Sequence, residues 1–341
     1  MKTLMESLRV RRDMDLHRIR LGNAVFEGRN NAYLLRGDRT TLVDPGASLD
    51  SVRDDLHAGL AAAGVEAADV DQILLTHWHA DHAGLAGELA AESGATVRAH
   101  EADAPRIAGD EDALAAERER RERRFDEWGL PAEKRAELVA FLDRHDDLQG
   151  EAVEVETLSD GDRVVAGDAE LEVVHLPGHA AGLVGFAAET DDGEEAFVGD
   201  AILPKYTPNV GGADLAVDAP LERYVESLVR LMDRNLDRAW PGHRDPIEDP
   251  TARARTILEH HRDRTERVVS VLRERGTADP WTVSADLFGE LEEIHILHGP
   301  GEAFAHLDHL VRRGVAERTG EEYRLSESDP NVADLFPNTK Y

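Results

Sequence analysis

Apolar and polar positions along the first part of the chain switch between two periods, and the switch predicts strands and helices in turn. Residues 31–44, "NAYLLRGDRTTLVD", are two apolar runs around a Gly-Asp turn and read as a hairpin. The next stretch, "PGASLDSVRDDLHAGLAAAG", reads as a helix with Ser48 or Asp50 as its cap and Gly64 as its stop. "DQILLTH" is a short, continuously apolar run, the pattern of a strand in a buried sheet. "AGLAGELAAESG" predicts a helix and "ATVRAH" another strand. From Asp110 to Asp147 the chain is charged and helical, broken at "WGLPAEK", which marks an insertion and a candidate lid. Strands return at "DAELEVVHLPGH", "GLVGFAAET" and "EEAFVGDAIL", with a hairpin turn at Asp191-Asp192-Gly193. A helix from about Leu221 to Leu236 leads into "RAWPGHRDPI".

After Pro250 the character changes. "TARARTILEHHRDRTERVVSVLRERG" predicts a long helix, "TVSADLFGEL" and "GEAFAHLDHLVRRG" shorter ones, and "VAERTGEEYRL" two short strands about Thr319-Gly320. Three helices and a small hairpin form the winged-helix pattern. Two units follow, residues 1–250 and 251–341, and with no Pro- or Ser-rich linker between them they are expected to pack closely.

Composition narrows the setting. There are 70 acidic against 39 basic residues, a net charge of −31. Only Lys2, Lys134, Lys205 and Lys340 are lysines. The acids are spread among regular apolar patterns, so a disordered acidic tail does not fit. A dispersed acidic, lysine-poor surface suits a salt-loving microbe, where high salt screens the self-repulsion. The same charge weighs against DNA binding. From residue 251 onward Asp and Glu still outnumber Lys and Arg, so the candidate recognition helix lacks a basic face. No run of 18 apolar residues exists, so no membrane partner is expected. There is no cysteine, which excludes disulfides and thiolate metal sites. The expected location is the cytoplasm, and a homodimer is compatible with the C-terminal unit.

The concentrated chemistry lies in "LLTHWHADHAG", residues 74–84. Where a strand runs out into a loop, His77 and His79 at i and i+2 point the same way and suit one metal ion. Asp81 and His82 open the next helix, displaced enough to face a second ion. Imidazole and carboxylate suit Zn²⁺, and also Fe or Mn. Further donors stand at predicted strand ends, each preceded by glycine: His179 in "LPGHAAG", Asp200 in "FVGDAIL" and His243 in "WPGHRDP".

These motifs, in this order and at these separations, resemble the metallo-β-lactamase superfamily, and "LVDPG" (42–46) matches its N-terminal signature. The resemblance covers roughly residues 20 to 250. It implies an αββα sandwich with two divalent metal ions at one edge. Carried over by position, His77, His79 and His179 bind one ion, Asp81, His82 and His243 the other, and Asp200 bridges them. The reaction implied is attack by a hydroxide held between the ions on a small ester, thioester or lactone, as in glyoxalase II. Asp81 is the catalytic carboxylate that orients it. "GDAILPKYTPNVGG", "EHHRDR" and "GEAFAHLDHLVRRG" further resemble the subgroup with a C-terminal winged helix, to which a mitochondrial β-lactamase-like endoribonuclease belongs. RNA is therefore the alternative substrate, while an iron redox protein and a winged-helix DNA regulator rank lower. Lys205, Tyr206 and Asn209 follow Asp200 and are candidate substrate contacts, Lys205 for a carboxylate or phosphate.

Overall fold

A computed structural model describes residues 14–22 and 29–337. Two sheets form its centre. The first contains β1 (Asp15–Leu21), β2 (Asn30–Arg36), β3 (Thr41–Val43), β4 (Gln72–Leu74), β5 (Thr96–His100) and β6 (Val155–Leu158), in that spatial order. Its first three strands are antiparallel, and β3 to β6 run parallel. The second contains β7 (Arg163–Ala166), β8 (Ala169–His175), β9 (Val184–Thr190), β10 (Gly193–Gly199) and β11 (Arg238–Pro241). Its β7 to β10 meander is antiparallel, and β11 joins β10 in parallel.

Side-chain alternation assigns each face. Tyr33, Leu35, Val43 and Leu74 point between the sheets, where they meet Val173, Val184, Phe186 and Phe197. Their neighbours Leu34, Leu42 and Ile73 point outward and pack on Val52, Leu56 and Leu60 of α1 (Asp50–Ala62). Because both faces are covered, β2 and β3 carry apolar residues without a polar stripe. The outward face of the second sheet, including Val174, Ala187 and Val198, is covered by Leu221, Tyr224 and Leu228. The result is helix, sheet, sheet, helix: the mixed α/β sandwich expected.

Between β4 and β6 come α2 (Ala80–Ala83), α3 (Ala86–Ser93), α4 (Ala104–Ile107) and the inserted pair, α5 (Glu111–Glu127) and α6 (Ala132–Arg144). The inserted pair is not a freely solvated hairpin. Phe125, Trp128, Leu130 and Leu138 form a separate apolar cluster with Leu291, Ile296, Leu297 and Phe304 from the C-terminal part.

The rest comprises α7 (Pro220–Arg234), α8 (Pro250–Arg275), α9 (Pro280–Phe288), α10 (His295–Arg312) and a hairpin of β12 (Ala316–Thr319) with β13 (Glu322–Leu325). One apolar core runs from the outer face of the second sheet through Ile257, Leu258, Val268 and Leu272 to Leu310 and Tyr323. The two parts of the chain thus share a core. Helix α10 starts earlier than the expected "GEAFAHLDHL" segment and carries Pro300 inside it. Packing overrides local propensity here. Gly301 lies so close to the loop at Gly212 that a Cβ would come within 2.3 Å of the Gly212 Cα.

Candidate metal centre

Every donor of the cluster lies just beyond the C-terminal end of a strand. Beyond β4 come His77 and His79, then Asp81 and His82 in the single turn of α2. His179 follows β8, Asp200 follows β10 and His243 follows β11. Glycine is required where these ends crowd together. A Cβ on Gly242 would fall 2.4 Å from both Asp200 Oδ1 and His82 Cε1, and Gly178, at φ +142°, would strike Tyr224.

The seven side chains are buried or nearly so, and three of them define a first group. His77 Nε2 and His179 Nε2 lie 2.9 and 3.1 Å from His79 Nδ1. Their outer nitrogens settle the tautomers. His79 Nε2 donates to the Ala213 carbonyl at 3.0 Å and His179 Nδ1 to the Asn209 carbonyl at 2.9 Å. The Thr76 hydroxyl donates to Asp44 at 2.6 Å, so it accepts from His77 Nδ1 at 3.0 Å. All three inner nitrogens therefore present bare lone pairs to one another. Lone pairs cannot hydrogen-bond among themselves; a cation between them resolves the conflict.

The second group is Asp81, His82 and His243. His82 Nδ1 donates to Asp44 at 3.0 Å, which leaves its Nε2 facing inward, 3.8 Å from Asp81 Oδ2 and 3.6 Å from Asp200 Oδ1. His243 Nε2 is 3.4 Å from both Asp81 Oδ2 and Asp200 Oδ2. Asp200 also approaches His179 Nε2 at 3.8 Å, so it stands between the groups. His82 Nε2, His243 Nε2 and Asp200 Oδ1 are buried without a hydrogen-bond partner. Such orphaned atoms are expected of ligand atoms, and the donor set fits divalent ions.

Electrostatics separates the groups. Burial first, then the neighbouring imidazoles, hold His77 and His79 well below the ordinary histidine range, in the neutral ligand form. Burial also opposes charge on His82 and His243, but the Asp200 and Asp81 carboxylates outweigh it: His82 is raised well above its ordinary value and His243 is raised to about 10. Burial would raise Asp200, yet His243 and His82 keep it well below the usual carboxylate range. Two carboxylates thus draw positive charge onto this half of the site, as protons or as an ion.

The sequence did not show which groups orient the ligands. Asp44, in the quoted "LVDPG", accepts from Thr76 N at 2.8 Å, Thr76 Oγ1 and His82 Nδ1. Asn30 Nδ2 donates to Asp81 Oδ2 at 3.1 Å. Asp103 accepts from Trp78 N at 3.1 Å and Gly182 N at 2.8 Å, clamping the His77–His79 loop to the His179 loop. Asp214 accepts from Ala181 N at 2.8 Å. Of the candidate substrate contacts, Lys205 and Tyr206 are exposed, with the ammonium 5.3 Å from the ring centre. The Asn209 amide is used internally: it donates to the His298 carbonyl and accepts from Gly212 N, each at 3.1 Å. Its part is to hold the loop whose carbonyl orients His179. The inserted helices reach the histidine loop through Arg106, which lies 3.0 Å over the Trp78 ring and pairs with Glu117 at 2.7 Å.

Residues 25–243 match the family model described as the metallo-beta-lactamase superfamily. A probable metallo-hydrolase of Bacillus subtilis is 28% identical over 305 residues, 87% of this chain and 92% of that one. A beta-lactamase-like protein 2 homolog of Drosophila melanogaster is 26% identical over 73% of this chain and 70% of its own length. Among solved structures, a metallo-beta-lactamase family protein of Thermus thermophilus superposes with a TM-score of 0.77 at 30% identity, covering 91% of this chain and 98% of that one. A beta-lactamase domain protein of Burkholderia ambifaria gives 0.71 at 23% identity, over 91% and 92%. Donor set and relatives together make this a metal-dependent hydrolase, and the chain belongs to the metallo-beta-lactamase superfamily.

Proposed function

We propose that the chain holds two divalent ions, Zn²⁺ by preference with Fe or Mn as alternatives, and hydrolyses a small ester, thioester or lactone. The observation that carries this is the convergence of bare lone pairs from His77, His79 and His179 beside a second, carboxylate-rich donor group. When bound, the ions supply Lewis acidity, which activates water near neutral pH and polarises a carbonyl. His77, His79 and His179 would hold one ion and Asp81, His82 and His243 the other, with Asp200 standing between the two donor groups. Asn30 fixes one oxygen of Asp81. The other oxygen orients the attacking water and carries its proton toward the leaving group. Burial of the cluster excludes bulk water from the developing charge.

Support for the C-terminal part as a winged-helix packing module comes from its burial. Phe304, Ala305, Leu307 and Leu310 of the would-be recognition helix are buried and cannot enter a groove. With a net charge of −31, neither RNA nor DNA is the favoured partner. Among the described residues no helix is long and apolar enough to cross a membrane.

The test is elemental analysis of the full chain purified without chelator, with assays on an aryl ester, a thioester, a lactone and single-stranded RNA in molar KCl. We expect two ions per chain and turnover of at least one carbonyl substrate. Asp81→Asn should lower kcat by about 10²-fold or more. One ion or none under saturating metal sinks the two-ion reading; cleavage of RNA alone sinks the substrate class.

A further inference from the structure

The two halves of the metal centre lean on different parts of the chain. In the second group, His82 is tied to Asp44 and Asp81 to Asn30. Asp44 follows β3 and Asn30 opens β2, so the first sheet supports this half. In the first group, two of the three histidines lean on one short loop, residues 209–214, "NVGGAD". The Asn209 carbonyl accepts from His179 Nδ1 at 2.9 Å, and the Ala213 carbonyl accepts from His79 Nε2 at 3.0 Å. Only His77 turns elsewhere, to Thr76.

That loop is seated on α10, in the C-terminal part. Asn209 Nδ2 donates to the His298 carbonyl at 3.1 Å, and its side-chain oxygen accepts from Gly212 N at 3.1 Å. The two glycines lie directly against the helix. A Cβ on Gly211 would fall 2.4 Å from the Gly301 carbonyl oxygen, and one on Gly212 would fall 2.7 Å from His298 Cα. From the other side, a Cβ on Gly301 would fall 2.3 Å from Gly212 Cα and 2.5 Å from Gly212 N. The opposing atoms are backbone in each case, so no change of rotamer relieves the overlap. The far end of the loop is tied as well: Asp214 accepts from Ala216 N and Ala181 N, each at 2.8 Å.

This contact accounts for an unfavourable helix sequence. Gly299, Pro300 and Gly301 place in the interior of α10 the residue types a helix tolerates least. Gly299 makes room for the Leu291 side chain, whereas Gly301 makes room for the loop. Two steps then run in series, from helix backbone to loop and from loop carbonyl to imidazole. Each carbonyl fixes the tautomer of its histidine and the direction of the bare nitrogen. A loop displaced from α10 would carry both carbonyls with it and turn two ligands of one ion. Asp44 and Asn30 would keep their partners.

We propose that Asn209, Gly211, Gly212 and Gly301 are positioning residues through which the C-terminal part sets the affinity of the ion held by His77, His79 and His179, and not that of its neighbour. The proposal rests on the two-ion reading for its ligand and on the contacts of the loop for its geometry. It gives the C-terminal part a role at the metal centre that requires neither nucleic acid nor a partner chain.

The experiment uses the full chain and three variants. Gly301→Ala presses a methyl group against the Gly212 backbone, and Asn209→Asp removes the donor to the His298 carbonyl. Gly299→Ala makes the same change in the same helix but meets the flexible Leu291 side chain, and serves as the control. Zinc affinities come from competition with a chromophoric chelator, and His79→Gln and His243→Gln assign the two ions. Gly301→Ala and Asn209→Asp should weaken the three-histidine ion by about tenfold or more and leave the other within about twofold, with Gly299→Ala like wild type. Spectra of the chain with ¹⁵N-labelled histidine give a second readout, independent of turnover. The His79 Nε2–H and His179 Nδ1–H signals should shift or exchange faster in both loop variants, while the His82 Nδ1–H signal stays. Equal losses for both ions, or no loss, overturn the proposal, and so do unmoved His79 and His179 signals. If Gly301→Ala does not fold, Asn209→Asp decides by the same criteria. If wild type holds fewer than two ions, the two-ion reading fails and the imidazole signals alone decide: moved, the positioning role stands; unmoved, it falls.

Discussion

Asp44→Asn removes one oxygen from the one carboxylate that ties the His82 ligand to the β4 end. Asp44 spends both oxygens: Oδ1 accepts from Thr76 N, and Oδ2 accepts from Thr76 Oγ1 and His82 Nδ1. Asparagine offers one oxygen and an NH₂, so two orientations exist. With its oxygen toward Thr76 N, the NH₂ meets His82 Nδ1 as a donor. The ring then takes the other tautomer and places a proton on the inward Nε2. With the NH₂ toward Thr76 N, two donors face each other in a buried site, which costs about 1–3 kcal/mol. The backbone adds no penalty, because Asp44 sits at φ +53° and asparagine tolerates that region as well. Groups that orient a metal-bound histidine are worth about 10–100-fold in affinity. Competition with a chelator on the full chain should show that loss, and first for the more weakly held ion. The melting temperature should fall by only a few degrees, since no apolar contact is removed. Wild-type affinity in Asp44→Asn would refute the tautomer argument, and with it the role of Asp44.

Truncation after Pro250 should give an insoluble or metal-poor product, because Ile257, Leu258, Val268 and Leu272 share a core with Leu221, Tyr224 and Leu228. A soluble, metal-loaded, active product would show the C-terminal part to be a separable appendage. Burial, with His175 stacked at 4.1 Å, brings His100 down to about 4. Between about pH 6.5 and 4 the unfolded chain therefore takes up a proton that the folded chain refuses, and wild type should lose stability relative to His100→Phe as pH falls through that window. Denaturant melts of both proteins at pH 7, 5.5 and 4 check it, and parallel curves contradict it. Melting temperature should rise with KCl from 0.1 M to molar levels, as the Debye length falls from about 10 to about 3 Å around a chain of −31. A salt-independent transition would remove the basis for reading the surface as salt-adapted.

The donors were legible because each is a local event: histidines two apart at a strand end, or a polar residue after a glycine that no other residue could replace. The residues that orient them were not legible. Asp44, Asn30 and Asp103 act on partners 38, 51 and 79 positions away; Asp44 stands in the signature "LVDPG", but the motif does not say what it orients, and nothing in the immediate sequence of Asn30 or Asp103 distinguishes them from surface polar residues. The strands missed from the sequence share one property. Strands β1, β6 and β7 are all edges of their sheets. An edge strand has solvent along one side, so it carries residues such as Arg18, Arg20, Glu156 and Arg163 and loses the apolar pattern that betrays a central strand. Ser48 and Asp50 failed as caps for a related reason: α1 begins after Leu49 with no side-chain cap, and Asp50 bonds Arg53 at 2.6 Å instead. In each case the residue type is ambiguous alone, and a neighbour supplied by the fold decides its part.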